Sequence, residues 1–291
     1  MSTLHRFCIS HKEPLLPRSW YDDCIALGDF QTDSALHVSQ LDQFWHAARP
    51  IAYGAAGAYV LPLAIEKFAS AAELIEISSY RKRILPSPEG VESQSYGYPT
   101  MRELGLEDSK NRLQLSSFIP RAEFGFLVAQ PLFFENTILG QYAASHRRKD
   151  LINYTSLAVD MGVLDKNSAT ELLRAKYFIP GGVELGIFPK SWLVKTVSEI
   201  ELVGRQFLHR YGNRLKKYDR YQVRAIGFLS ERLGSYLLLR HLTEKYSNNI
   251  PSEIFGYMTV IVEGDSAYAT GLSDRTMGGA RWYLFKRKRA Q

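Results

Sequence analysis

The chain is short of cysteine: Cys8 and Cys24 are the two thiols in 291 residues. Two cysteines build no disulfide framework, and their spacing matches no zinc or redox motif, so a reducing compartment is the simplest setting. Long apolar runs are missing too. No window approaches the ~20 consecutive apolar residues of a membrane span. The opening MSTLHRFCISHKEP has no stretch that reads as a signal peptide, so a cytoplasmic location is expected. There is no GxGxxG after a strand, no GxxxxGK[ST], no HExxH and no GxSxG, which argues against dinucleotide-binding, P-loop, zincin and α/β-hydrolase chemistry. The seven histidines are scattered, with no metal-ligand pair four residues apart. No DxD-type carboxylate pair is evident. Asp22-Asp23 comes nearest and reads better as a capped surface turn than as a metal site, so no metal ligand is assigned.

What is present describes an ordinary globular chain, 45% hydrophobic and 23% charged, with room for a large core. The net charge is +6 and the pI about 9.1. That balance suits an anionic ligand, a nucleic acid or a lipid surface, and does not choose among them. With 17 Tyr and 15 Phe, rings are plentiful for a polar cleft as well as for the core.

Arg6 to Ser10 reads as a first strand, with His11-Lys12 at its C-terminal end, where open α/β sheets bind ligands. Ser39 to Ala48 has helical spacing, and Pro50 is the expected stop. Ala71 to Ser79 is a helix end or a strand and runs into Tyr80-Arg81-Lys82-Arg83, the densest basic point inside the fold. A long polar loop lasts to about Thr100. Glu123 to Phe134 reads as a buried strand and its exit past Pro131. Thr137 to Arg148 is helical and ends in His146-Arg147-Arg148. Two helices broken near Gly162 follow, then a strand over Val183 to Phe188, a long helix over Lys190 to Tyr211, and a last strand over Met258 to Val262. The basic tail, Phe285 to Arg289, suits solvent or a phospholipid surface. The expected fold is α/β, a sheet flanked by helices with a mostly helical C-terminal half. It divides as one domain with an α/β part over 1–135 and a helical part over 136–291.

Tyr221 to Leu237 is the most regular helix. Asp219 stands at its N-cap, with Gln222 placed to reach back. Val223, Ile226, Gly227, Ser230, Leu233, Gly234 and Leu237 form a core-facing side. Arg224, Phe228, Glu231 and Ser235 form a stripe beside it. A buried helix with a structural ion pair would look the same, and ion-pair networks are common away from active sites.

The candidate chemistry is a set of cations and polar groups at element ends: His11-Lys12, Tyr80 to Arg83, His146 to Arg148, and Arg224 with Glu231-Arg232. A polyanion such as a sugar diphosphate needs several such donors to offset its desolvation.

These pieces, in this order, resemble a family of bacterial capsule and O-antigen glycosyltransferases that includes galactofuranosyltransferases. Ser10-His11-Lys12 looks like the family's THK at the end of the first strand. Ser79-Tyr80-Arg81-Lys82 looks like its HYRR, with serine in place of the histidine. Tyr142, His146 and Asp150-Leu151 look like its mid-chain pattern. Tyr221, Arg224, Gly227-Phe228 and Glu231-Arg232-Leu233 look like its most specific block. The resemblance implies a GT-A-like variant fold and a nucleotide-sugar donor of UDP-hexose or UDP-galactofuranose type. It implies a glycan or lipid-linked glycan acceptor and leaves a divalent metal undecided. By the same resemblance His11, Lys12, Tyr80, Arg81, Lys82 and Arg224 would bind the donor. Glu231, His146, Asp150 and Glu184 would be the acid–base candidates. The alternatives are a sugar-nucleotide- or glycan-binding protein without turnover, and a nucleic-acid binder. The latter is disfavoured because the basic residues follow no single helix or strand platform.

Overall fold

The computed structural model describes residues 3–32, 36–93, 101–116, 118–121, 123–264 and 282–284. The strands are β1 (Leu4–Ser10), β2 (Asp23–Ala26), β3 (Leu74–Ser79), β4 (Lys82–Leu85), β5 (Val91–Glu92), β6 (Arg102–Gly105), β7 (Val128–Ala129), β8 (Leu132–Phe134), β9 (Tyr177–Phe178), β10 (Gly186–Pro189), β11 (Phe255–Val262) and β12 (Trp282–Leu284). The helices are α1 (Val38–Leu41), α2 (Gln43–Ala52), α3 (Ala55–Tyr59), α4 (Leu61–Phe68), α5 (Leu106–Lys110), α6 (Ile138–Ser145), α7 (Arg148–Asp160), α8 (Lys166–Arg174), α9 (Lys190–Leu215) and α10 (Ala225–Lys245).

Alternation along the strands decides the layers. Phe7, Ile9, Ile75, Ile77 and Ile84 face the main core under the helices. Cys8, Leu85 and Ile261 face a smaller cluster with Leu16, Trp20 and Tyr21. The main sheet runs β2-β1-β3-β4-β11-β6-β5, with β10 added to β3 and β7 to β11. Strands β2, β1 and β3 are parallel, with Phe7 beside both Asp23 and Ile77. The chain leaves β1 to one side for β2, then crosses through α1 to α4 and returns on the other side as β3. The reversal puts a switch-point crevice at the C-terminal end of β1. Two strands of the second half return to this sheet: β10 pairs antiparallel with β3, and β11 lies between β4 and β6.

The α/β class and the helical second half are as expected, and the differences have local causes. The helix expected to stop at Pro50 does not. Asp42 caps α2, accepting from the Phe44 and Trp45 amides at 2.8 and 3.2 Å. The helix tolerates Pro50 in its last turn and ends at Tyr53, whose φ is +50°. The apolar run Glu123 to Phe134 splits into β7 and β8 around Pro131, which has no amide to give a ladder. Asp219 does cap its helix, accepting from the Tyr221 and Gln222 amides at 2.8 Å. The first turn, Gln222–Arg224, is 3-10, and α10 continues to Lys245. Gln222 does not reach back; its side-chain amide donates to the Ser145 carbonyl at 2.8 Å. The basic tail, and residues 94–100 of the long loop, lie outside the described residues.

One charged group is built into the sheet itself. Glu76 of β3 is 1% exposed and accepts two hydrogen bonds from Arg83 of β4, at 2.5 and 2.9 Å. Arg6 approaches the same carboxylate at 3.4 Å. Deleting one member of such a group leaves the other charged and dry, at a cost of about 3–5 kcal/mol. Glu76→Ala is therefore expected to lower the unfolding free energy by about that amount, read as the denaturant midpoint at constant m. A midpoint within error of the parent would contradict it.

Candidate functional site

The end of β1 is fixed by its own hydroxyl. Ser10 Oγ donates to the Lys12 carbonyl and accepts from the Lys12 amide, so His11 and Lys12 leave the strand in a set turn. The Tyr80 carbonyl, in the tight turn between β3 and β4, accepts from the Leu15 and Leu16 amides at 2.7 and 3.3 Å. Those bonds hold the segment after β1 against that turn. The Tyr80 ring becomes a hub: His11 meets it edge-on at 5.1 Å, Lys12 Nζ lies 4.9 Å from its centroid, and the Arg81 guanidinium 5.1 Å. Burial first, then Arg49, Lys12 and Arg81, hold the His11 pKa below its ordinary value. The imidazole is thus neutral near pH 7 in a strongly positive setting. The structure brings His11, Lys12, Tyr80 and Arg81 together. Lys82 follows at the start of β4, opposite Ser79. Arg83 does not join them, being spent on Glu76.

Arg49 was missed in sequence because Pro50 seemed to end the helix before it mattered. It lies in the last turn of α2 against Gly28, where an added Cβ would be 3.4 Å from its Nε. Its guanidinium is 5.5 Å from the Tyr53 ring centroid, and that of Arg224 is 5.6 Å from the same ring. Nε of both arginines is buried without a hydrogen-bond partner. Tyr53 therefore links the cationic end of the parallel strands to the start of α10.

Further along α10, Glu231 Oε1 accepts from the Gly181 amide at 2.8 Å. Gly182 makes this approach available: a Cβ there would be 2.8 Å from the Glu231 carbonyl, and φ at Gly181 and Gly182 is +83° and +51°. Neither arginine that could have tied up Glu231 does so. Arg224 lies among rings, and Arg232 is buried, donating to Gln141 Oε1 and the Phe228 carbonyl, each at 2.8 Å. Glu184, two residues beyond the glycine pair, is the second carboxyl of the site. Burial, then the charge of Glu231, pushes its pKa up to about 8. The Glu184 carboxyl is thus held protonated at neutral pH beside Glu231. Beneath it, Ser230 Oγ hydrogen-bonds Tyr59 and Tyr154 in a buried network. Ser235 leaves the expected stripe, since its buried Oγ accepts from the Ile179 amide at 2.7 Å.

His146 joins α6 to α7 and lies among rings, with Phe228 at 4.3 Å, Tyr142 at 4.7 Å and Tyr221 stacked at 5.6 Å. Its Nδ1 meets Gln222 Oε1 at 3.4 Å, which makes Nδ1 the protonated nitrogen of a neutral ring. Burial, then Arg232, brings its pKa down to about 4, against the Gln222 bond. The ring is therefore neutral across the physiological pH range. Asp150, the remaining acid–base candidate, is engaged in a buried ion pair. It is 1% exposed, pairs with Arg214, and accepts from the Tyr218 hydroxyl at 3.2 Å.

Two cavities of about 300 and 530 Å³ lie elsewhere, both lined by Glu13, Pro14, Arg18 and Tyr21. Their polar groups are largely satisfied: Arg18 donates to the Tyr21 and Asp22 carbonyls, Asp22 accepts from the Arg6 amide, and Asp23 meets His5 at 3.0 Å. Asp22-Asp23 is thus tied into the sheet edge. Among the described residues no group of three or more His, Cys, Asp or Glu could hold a metal ion.

The chain shares its fold with part of a solved structure, the bifunctional glycosyltransferase WbbM in its apo form. The TM-score is 0.59 and the identity 10%, over 89% of this chain and 45% of that one. The chain thus spans less than half the length of that structure. No protein-family model matches the chain, and no curated protein matches it in sequence. The likeness establishes the fold, a mixed α/β sheet flanked by helices with a helical second half, as one found in a glycosyltransferase.

His146 carries a measurable signature. Its folded pKa is lowered from 6.5 to about 4, so between those values the unfolded chain binds the extra proton. Stability is therefore expected to fall as pH drops through that window, by no more than about 3 kcal/mol. His146→Gln should flatten that part of the pH–stability curve; an unchanged slope would contradict the placement.

Proposed function

We propose that the protein is a glycosyltransferase that draws its sugar from a nucleotide-sugar donor. The observation that carries this is the grouping of His11, Lys12 and Arg81 around the Tyr80 ring at the switch point of the parallel strands. Such a set of N–H donors and cations suits a diphosphate, with Lys82 at its edge and Arg224 on the α10 side. The shared fold with a glycosyltransferase supports the class. The donor type, a UDP-hexose or UDP-galactofuranose, rests on the motif resemblance, as does the acceptor, a capsule or O-antigen glycan.

In this reading the acceptor hydroxyl attacks the anomeric carbon, and the bond from that carbon to the diphosphate oxygen breaks. Glu231 takes the hydroxyl proton. The Gly181 amide bond orients its carboxylate, and the protonated Glu184 beside it adds no competing charge. The departing nucleoside diphosphate carries the electron pair and is met by Arg81, Lys12 and Arg224. These cations would supply the leaving-group stabilisation that a divalent ion gives in other enzymes of this chemistry.

The helices contain no span long and apolar enough to cross a membrane among the described residues. A lipid-linked acceptor would be reached from the membrane surface, with the basic tail as the contact. The second reading, binding without turnover, is motivated by Ser79 in place of the HYRR histidine and by the structural use of Asp150. Donor binding with neither transfer nor hydrolysis would favour it.

Two measurements test the proposal. A nucleotide sugar from a UDP, GDP, CMP and dTDP panel should raise the melting temperature by mass action, and Arg81→Ala should weaken that shift without unfolding the protein. No shift with any member, with or without Mn²⁺, would count against the reading. Glu184→Gln should stabilise the protein at pH 8 by at least about 1 kcal/mol, because a folded pKa near 8 costs stability as pH rises from about 4.5. Glu231→Gln, which removes the proposed base, should instead lower turnover by at least about 100-fold; full activity in that variant would remove Glu231 from its role.

A further inference from the structure

Tyr53 is held in a backbone conformation that side chains avoid. It ends α2 with φ +50° and ψ −127°, a region that favours glycine, and Gly54 follows directly. Strain of this kind persists where the surroundings demand it. The surroundings here are two guanidiniums on one ring, Arg49 from the same helix turn and Arg224 from the start of α10. Like charges so placed repel, and each arginine keeps a buried Nε without a partner. Neither is paired with a carboxylate among the described residues. Arg49 also contributes, after burial, to keeping His11 neutral, so its charge is felt at the Tyr80 hub. On the open side, a Cβ added to the exposed Gly54 would meet nothing within 4 Å.

An arginine in the last turn of a helix is favoured by the helix dipole, which would explain Arg49 alone. It does not explain why a second arginine, from a different element, shares the same ring, or why that ring sits on strained backbone. A dianion between the two would relieve the repulsion.

We propose that Arg49 and Arg224 bracket the diphosphate of the ligand, with Tyr53 as the positioning residue that spaces them. The inference rests on the nucleotide-sugar reading above and adds two residues to it. The bracket selects for two linked phosphates over one, because a monophosphate reaches one arm only. It also assembles the site from both halves of the chain, Arg49 from the sheet side and Arg224 from the helical side. Tyr53 makes no chemical step; it holds the arms apart by stacking, which phenylalanine can also do.

The experiment is calorimetric titration of the full chain with UDP, UMP, GDP, GMP and inorganic pyrophosphate. The parent should bind one nucleoside diphosphate at least about ten-fold tighter than its monophosphate, the worth of one charge-assisted bond set. Arg49→Ala should erase most of that difference while changing monophosphate affinity less than about two-fold. Tyr53→Leu should weaken diphosphate binding, and Tyr53→Phe should restore it. Tyr53→Gly should weaken diphosphate binding with a melting temperature no lower than the parent's, because glycine relieves the strained φ. A merely structural tyrosine would instead lose stability and keep affinity. Pyrophosphate binding as tight as the nucleotide would identify a phosphate-only site, such as one for a diphosphate lipid headgroup, and overturn the nucleotide assignment of the bracket. Arg49→Ala and Tyr53→Leu binding diphosphate like the parent, while Arg81→Ala does not, would overturn the bracket and leave the nucleotide-sugar reading standing. A parent that binds none of these probes overturns both.

Discussion

The site depends on crowding positive charge at the end of β1. His11, Lys12 and Arg81 converge on one tyrosine ring, with Arg49 close enough to act on His11. Placing cations together is costly in a folded protein. The molecule accommodates the charge in part by holding the His11 pKa below its ordinary value and by placing aromatic faces beside the guanidiniums. Elsewhere the chain pairs its buried charges in the ordinary manner, Arg83 with Glu76 and Arg214 with Asp150.

The scaffold has its own logic. Parallel pairing of β1 with both β2 and β3 points three strand ends at one edge, and the reversal of chain direction opens a crevice there. The second half meets that end of the sheet through Arg224 at the start of α10, which shares the Tyr53 ring with Arg49; the helix is fixed at its start by the Asp219 cap and in its middle by the Gly181–Gly182 turn. The cap sets where Arg224 begins, and the turn sets where Glu231 points. Two glycines in left-handed conformation let the backbone of that turn lie against the helix, bringing Glu184 to Glu231 from another element.

Much of this was legible in the sequence. The first strand and its His11-Lys12 end, the basic turn after β3, the break at Gly162 and the capped helix all carry local signals, and local signals are what periodicity and capping rules read. Four features were not. Pro50 is a stop by rule, yet α2 absorbs it in its last turn, so Arg49 and Tyr53 went unread. Asp150 has the residue type of an acid–base group, and only packing shows Arg214 over it. Arg232 stands next to Glu231 in the sequence but turns inward to Gln141. The Glu184–Glu231 pair arises from two glycine conformations that a sequence lists only as Gly-Gly. In each case the missing information is a long-range contact, which no window along the chain contains.

The central claim is that both halves of the chain form one diphosphate site, and a crystal structure with a bound nucleoside diphosphate sugar tests it most directly. The account predicts the diphosphate beside Tyr80, within hydrogen-bond reach of Lys12 or Arg81 on one side and Arg224 on the other, with the sugar towards Glu231. A nucleotide seated instead in the cavities beside Arg18 and Tyr21, away from the end of β1, would contradict it.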